Sequence, residues 1–248
     1  MFAIKVIYKM NKKALIGFNI ITLCLLIAIV LKEHYPQKIW HYFKKPSQKE
    51  QEKLSYWLNR DQLFKALPHD SNSIVFLGTS LTENFELNEI FHQCNYKNRG
   101  ITSDVTEGIL NRLDPIILDQ PKKILIEAGI NDLGKGVSET QMLSNYTAII
   151  DRLQKECPKT ELFIQSIFPV ANTGQYPTYN NSANNAAILR ANKALQALAT
   201  AKGIIYIDLY PNFTANGEIK PEYVIEDGIH FNGAAYNLWA QLLAPYLQ

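Results

Sequence analysis

At 248 residues, 47% of them hydrophobic and 19% charged, the chain has enough apolar side chain for the core of one or two domains, which excludes a disordered chain. A formal charge of +2 with scattered lysines leaves no basic footprint for nucleic acid. Three cysteines give no disulfide framework, and there is no Cys-x-x-Cys or His-Glu-x-x-His spacing to hold a metal.

Residues 14–31 are uncharged and apolar throughout, and Lys5, Lys9, Lys12 and Lys13 precede them. Such a run is long enough to span a bilayer. No small-residue cleavage site follows, because Lys32-Glu33-His34-Tyr35 comes directly after it, and Leu23 before Cys24 fits a lipoprotein site poorly. The run therefore reads as an uncleaved transmembrane anchor. Lys32, Lys38, Lys44 and Lys45 make the second flank basic too, so charge alone leaves the orientation open.

Residues 32–70 read as a connector and an opening helix, in which Leu54, Trp57, Leu58, Leu63, Phe64 and Leu67 recur at helical spacing and Pro68 ends the pattern. Residues 71–248 then alternate strand and helix. Ile74-Val75-Phe76-Leu77 is a strand covered on both faces, and Gly78 allows the turn into a helix with a polar opening at Thr82, Glu83 and Asn84, so that Ser80 sits at the junction. Strands at 96–98, 123–128, 162–167 and 204–209 alternate with helices at 105–113, 139–156, 186–201 and 234–247. This rhythm predicts an α/β domain with a parallel sheet and helices on both faces. The commonest strand order would be 2-1-3-4-5. Residues 171–185, rich in Asn, Gly, Tyr and Pro, form a long loop of the kind that overhangs a binding site or simply crosses the surface.

In such a sheet, ligands bind at the carboxyl ends of the strands, so the polar residues just after each strand carry the chemistry. Ser80 follows the first strand. Asn98-Arg99-Gly100-Ile101-Thr102-Ser103-Asp104 follows the second and Gly129-Ile130-Asn131-Asp132 the third, while Asp227-Gly228-Ile229-His230 precedes the last helix. A serine nucleophile needs a base, a carboxylate to hold that base, and donors for a developing oxyanion. Asp227 and His230, three apart on a turn, can pair so that one imidazole nitrogen is held and the other faces Ser80. Gly78-Thr79-Ser80-Leu81-Thr82 lacks the second glycine of the α/β-hydrolase elbow. Gly129 to Lys135 nearly spells a phosphate loop, but Gly136 stands where its Ser or Thr belongs.

These blocks resemble the SGNH or GDSL hydrolases, in family order: Gly78-Thr79-Ser80-Leu81, then Asn98 onward, then Gly-x-Asn-Asp from Gly129, then Asp-x-x-His from Asp227. Asn-Arg-Gly-Ile, Asn-Asp-Leu-Gly and Asp-Gly-Ile-His-Phe-Asn look most similar to platelet-activating-factor acetylhydrolase-like bacterial esterases and carbohydrate O-acetylesterases. The resemblance implies a three-layer flavodoxin-like α/β/α fold with a five-stranded parallel sheet, and no cofactor. It makes Ser80 the nucleophile, His230 the base and Asp227 its orienter. Ser80, Ser103 and Asn131 would build the oxyanion hole, with Thr79, Gly100, Asp104, Gly129 and Asp132 as the supports around them. Two positions depart from the pattern. Thr79 replaces an aspartate, which would loosen the serine loop, and Ser103 replaces a glycine, which keeps the backbone donor but adds a side chain.

The expectation is therefore a membrane-anchored serine esterase, with its catalytic domain in the bacterial periplasm or at the cell surface. Tyr176 and Tyr179 in the polar loop suit stacking on sugars, which favours a short acyl group on carbohydrate. A lipid or lysophospholipid at the adjacent membrane is the alternative substrate, and an envelope binding module that has lost turnover is the alternative function. The oligomeric state leaves no signal in the sequence.

Overall fold

The computed structural model describes residue 22, residues 47–171 and residues 182–248, with side chains in the last segment from Asn185 onward. Apart from Thr22, the apolar run 14–31 lies outside the described residues, as do Tyr176 and Tyr179. Among the described residues, no helix is long and apolar enough to cross a membrane. The chain divides into two units, Met1–Glu52 and Lys53–Gln248. Helix α1 (Gln48–Ala66) begins in the first unit, where Ser47 gives it a reciprocal cap, and belongs to the second from Lys53 onward: the Ser47 Oγ donates to Glu50 Oε2 at 2.7 Å and accepts from the Glu50 N–H at 3.3 Å.

The second unit is built on a five-stranded parallel sheet of β1 (Ile74–Gly78), β2 (Tyr96–Gly100), β3 (Lys123–Glu127), β4 (Glu161–Gln165) and β5 (Ile205–Ile207). Its order is β2-β1-β3-β4-β5, the commonest one for such a sheet. Side-chain alternation divides each strand between two cores. Val75, Leu77, Ile124, Ile126, Leu162 and Ile164 pack on one face against α4 (Thr106–Asn111), α7 (Glu139–Glu156) and α8 (Ser182–Lys202). Ile74, Phe76, Leu125, Phe163 and Ile207 pack on the other against α10 (Gly233–Leu243), where Trp239 is fully buried. Burial of each such side chain contributes about 1.5–3 kcal/mol, so the central strands are the most tightly held part of the unit.

Several boundaries differ from the sequence reading, each for a local reason. Strand β2 continues to Gly100, so Asn98, Arg99 and Gly100 are sheet residues rather than loop. The helix expected over 105–113 stops at Asn111, and Pro115 starts a separate helix α5 (Asp114–Asp119). The last helix ends at Leu243 in a 3-10 turn, Ala244–Tyr246, because Pro245 has no N–H to continue the ladder. Helix α7 has the expected bounds, with the Ser138 side chain accepting from the Gln141 N–H as its cap. Short helices α2 (Ser80–Glu83), α3 (Leu87–Phe91), α6 (Ile130–Gly134) and α9 (Tyr210–Phe213) complete the unit. So does a small antiparallel hairpin of β6 (Thr214–Ala215) and β7 (Glu218–Ile219).

Helix α1 also departs from expectation. Its repeated leucines, Leu54, Leu58 and Leu63, are exposed, and the buried side chains are Asp61 and Phe64. The helix lies against polar groups instead: the guanidinium groups of Arg60 and Arg99 both sit 4.9 Å from the Phe64 ring centroid.

Candidate active site

The carboxyl ends of β1, β2 and β3 are adjacent, with Gly78 paired to Gly100 on one side and to Glu127 on the other. The polar segments after these strands are therefore side by side. Ser80 is the first residue of α2 and is buried, with 7% exposure. Its Oγ lies 2.9 Å from His230 Nε2, and His230 Nδ1 lies 2.6 Å from Asp227 Oδ2. A carboxylate on Nδ1 selects the tautomer in which that nitrogen carries the proton and Nε2 accepts from the serine hydroxyl.

Asp227 is itself fixed, because its Oδ1 accepts from the N–H groups of Ile229 and His230, both at 2.9 Å. Burial pushes its carboxyl up, but the bonds from the His230 backbone, the His230 ring and the Ile229 backbone outweigh that and hold it below the usual carboxylate range. It is the charged partner the imidazole needs.

Around the serine, the second and third blocks interlock. The Asn131 amide donates to the Asp104 carbonyl at 2.8 Å, which orients it along the loop. Asp132 accepts from the Thr106 hydroxyl at 2.6 Å and from its N–H, tying α6 to α4. Desolvation raises the Asp132 carboxyl, and the bonds from Thr106 oppose that rise. Gly129 has φ 127°, and a Cβ there would lie 2.5 Å from Ile167 Cδ1, so the turn before Asn131 requires glycine.

The two departures are now concrete. Ser103 sits at φ 64°, the left-handed region, which explains why glycine suits the position. Thr79 is completely buried and its Oγ1 has no hydrogen-bond partner among the described residues. The serine loop is held through its backbone instead. The Thr79 carbonyl accepts from the Glu83 N–H at 2.8 Å, and the Gly78 carbonyl accepts from Arg112 Nη2 at 2.9 Å.

Arg112 is one of the residues that sequence reasoning missed. Fully buried, it also reaches the Arg99 carbonyl at 2.9 Å and Asp104 Oδ2 at 2.7 Å, so a single guanidinium joins the ends of β1 and β2 to the second block. Glu127 is another. It ends β3, neither of its carboxyl oxygens has a hydrogen-bond partner among the described residues, and burial pushes it up to about 8. The available signal was a charged residue inside or closing an apolar run, Ile-Leu-Ile-Glu for Glu127 and Ile-Leu-Asn-Arg-Leu for Arg112.

A hydroxyl held against a charge-supported imidazole, with backbone and amide donors on neighbouring loops, can attack an acyl carbonyl. Comparison with known proteins agrees with that chemistry. Among curated proteins no relative matches the chain. A Streptococcus pneumonia protein, provisionally described as a platelet activating factor, is similar at 28% identity and a TM-score of 0.70, over 90% of this chain and 99% of its own. A GDSL-like lipase of Bacteroides thetaiotaomicron shares the fold at 21% identity and a TM-score of 0.68, over 77% of this chain and 96% of its own. A lipase/acylhydrolase of Enterococcus faecalis does so at 20% identity and a TM-score of 0.60, over 71% and 95%. The model of the GDSL-like Lipase/Acylhydrolase family matches residues 76–238, well over half of the chain. The chain belongs to the GDSL-like lipase/acylhydrolase family and is a carboxylic ester hydrolase.

Proposed function

We propose that this protein is a serine esterase that works through Ser80, His230 and Asp227 and passes through a covalent acyl-enzyme. His230 Nε2 removes the Ser80 proton as Oγ attacks the ester carbonyl, and Asp227 stabilises the imidazolium that forms. The oxyanion is met by the N–H groups of Ser80 and Ser103 and by the Asn131 amide. His230 then protonates the departing alcohol, and water activated by the same imidazole releases the acid. The observation that carries this reading is the unbroken chain from Ser80 Oγ through His230 to Asp227, at 2.9 and 2.6 Å.

The preferred substrate is a short acyl group, acetyl first, on carbohydrate. The polar loop sequence at 171–185, with its tyrosines, favours this reading. The apolar run 14–31 anchors the chain in a membrane with the catalytic domain outside the cytoplasm, and that proximity is what favours a lipid ester as the second substrate class.

The test is turnover of a chromogenic acetate ester. Ser80→Ala should lower kcat by on the order of 10⁶, His230→Ala nearly as much, and Asp227→Ala less. Activity in Ser80→Ala above about a hundredth of the parent would overturn the assignment. In the same preparation the full chain should stay with membranes in high salt, since screening does not release a hydrophobic span, and a chain lacking residues 1–31 should be soluble and active. Release of the full chain by salt alone would remove the anchor.

A further inference from the structure

Helix α1 precedes the family-matching residues 76–238, yet its side chains reach the loop that holds Ser103. Trp57 Nε1 donates to Asp104 Oδ1 at 3.0 Å. The Tyr56 hydroxyl donates to Glu83 Oε1 at 2.5 Å, and Arg60 Nε lies 3.1 Å from the same oxygen. The other Glu83 oxygen, Oε2, accepts from the Thr102 N–H at 2.7 Å and from its hydroxyl at 2.5 Å. Residues 102 and 104, which flank Ser103, are thus each tied to α1, one through Glu83 and one directly.

Ser103 itself is in a left-handed conformation at φ 64°. A residue with a Cβ remains there only when its surroundings over-determine the loop. Its carbonyl is fixed by Lys135 Nζ at 2.7 Å, and the Asp104 carbonyl by Asn131 at 2.8 Å, but the turn on either side depends on the two acids that α1 grips. Both bonds from α1 end on carboxylates, which makes them stronger and more directional than neutral pairs.

We propose that Trp57 and Tyr56 are positioning residues for ester hydrolysis: by gripping Asp104 and the Glu83–Thr102 pair, they hold Ser103 in the left-handed turn that aims its N–H into the oxyanion hole. The proposal rests on Ser103 being one of the oxyanion donors. Replacement by phenylalanine keeps the ring of Tyr56, puts a smaller aromatic ring at 57, and leaves the acids with their arginines, since Arg112 still binds Asp104 and Arg60 still faces Glu83. Each change therefore removes one hydrogen bond without stranding a charge.

A double-mutant cycle in the full chain separates positioning from mere support of the fold, with kcat, KM and melting temperature measured on the acetate ester for Trp57→Phe, Ser103→Gly and the pair. Trp57→Phe should lower kcat about tenfold in the parent with KM within about twofold, because a small displacement of an oxyanion donor is felt in the chemical step. In the Ser103→Gly background the same change should cost less than about twofold, because glycine takes this φ without strain and no longer needs the grip. Equal losses in both backgrounds, or no loss in the parent, would overturn the proposal. Tyr56 is 44% exposed, so Tyr56→Phe serves if Trp57→Phe fails to fold. It should lose about threefold in the parent and nothing measurable with glycine at 103. Ser80→Ala is assayed alongside: an inactive Ser80→Ala with an additive cycle discards the role of α1 alone, and an active one discards the site.

Discussion

Glu127 has no hydrogen-bond partner for either carboxyl oxygen among the described residues, so keeping a proton is the one way this fully buried group limits its desolvation penalty. Its carboxyl moves from 4.5 to about 8 on burial. Below 4.5 the acid is protonated both folded and unfolded, and pH has no leverage through it. Between 4.5 and about 8 only the folded chain holds the proton, so stability falls as pH rises, by at most about 1.4 kcal/mol per pH unit from this group. Asp227 acts oppositely: its depressed carboxyl supports the fold above its unfolded value of 3.8 and stops doing so only in acid. Glu127→Gln should flatten the decline between pH 5 and pH 8 and melt above the parent at pH 8, read by urea midpoints across that range. A parallel decline in parent and variant would mean that Glu127 is not buried without partners. At this scale the pairing of Asp227 with His230, and of His230 with Ser80, was legible because Asp227 and His230 share one turn. Trp57, Arg112 and Glu83 were not, because the atoms they bind lie outside their own turns and strands, from 8 to 47 residues away, and no local pattern marks them.

The short helix α2 is the element on which the site depends, and its seat is made by β2. The Asn98 amide donates to the carbonyls of Thr82, Glu83 and Phe85, satisfying groups that a helix of this length leaves open at its end. Gly100 lets the two backbones meet: a Cβ there would lie 2.2 Å from the Glu83 nitrogen and 2.6 Å from its Cα. Backbone cannot turn aside as a side chain can. Gly100→Ala should therefore lift α2 from the sheet, destabilising the protein by about 1–3 kcal/mol and lowering kcat together with Tm. Thermal melts with unchanged Tm and full turnover would contradict the seat. The sheet elements and α7 were readable from the alternation of apolar and polar segments. Helix α3, the split between α4 and α5, and the β6–β7 hairpin are too short to show a period, and the exposed leucines of α1 gave a helical rhythm that pointed to the wrong face.

Across the whole molecule the site gathers residues from almost the full length of the catalytic unit. Strand β1 is central to this, since the chain pairs it with β2 on one side and β3 on the other, and the crevice above that junction receives Ser80, Ser103 and Asn131. That much follows from strand order alone. The imidazole arrives differently. His230 lies 150 residues from its serine partner and stands just before α10, whose Trp239 stacks on Phe85, just past the Asn84 that ends the serine helix, with ring centroids 4.6 Å apart. Loops that long close late in folding. On the proposed mechanism the Ser80 hydroxyl, although synthesised early, has no proton acceptor until the far end of the chain has docked, so in a refolding experiment ester turnover should return with Trp239 fluorescence and trail the far-ultraviolet circular dichroism. Turnover that kept pace with the dichroism would refute this order. Under the proposed roles, a nascent or truncated chain ending before Asp227 would carry the nucleophile and the strands around it but no base: a latent hydrolase, harmless to any ester it meets before its last helix is in place.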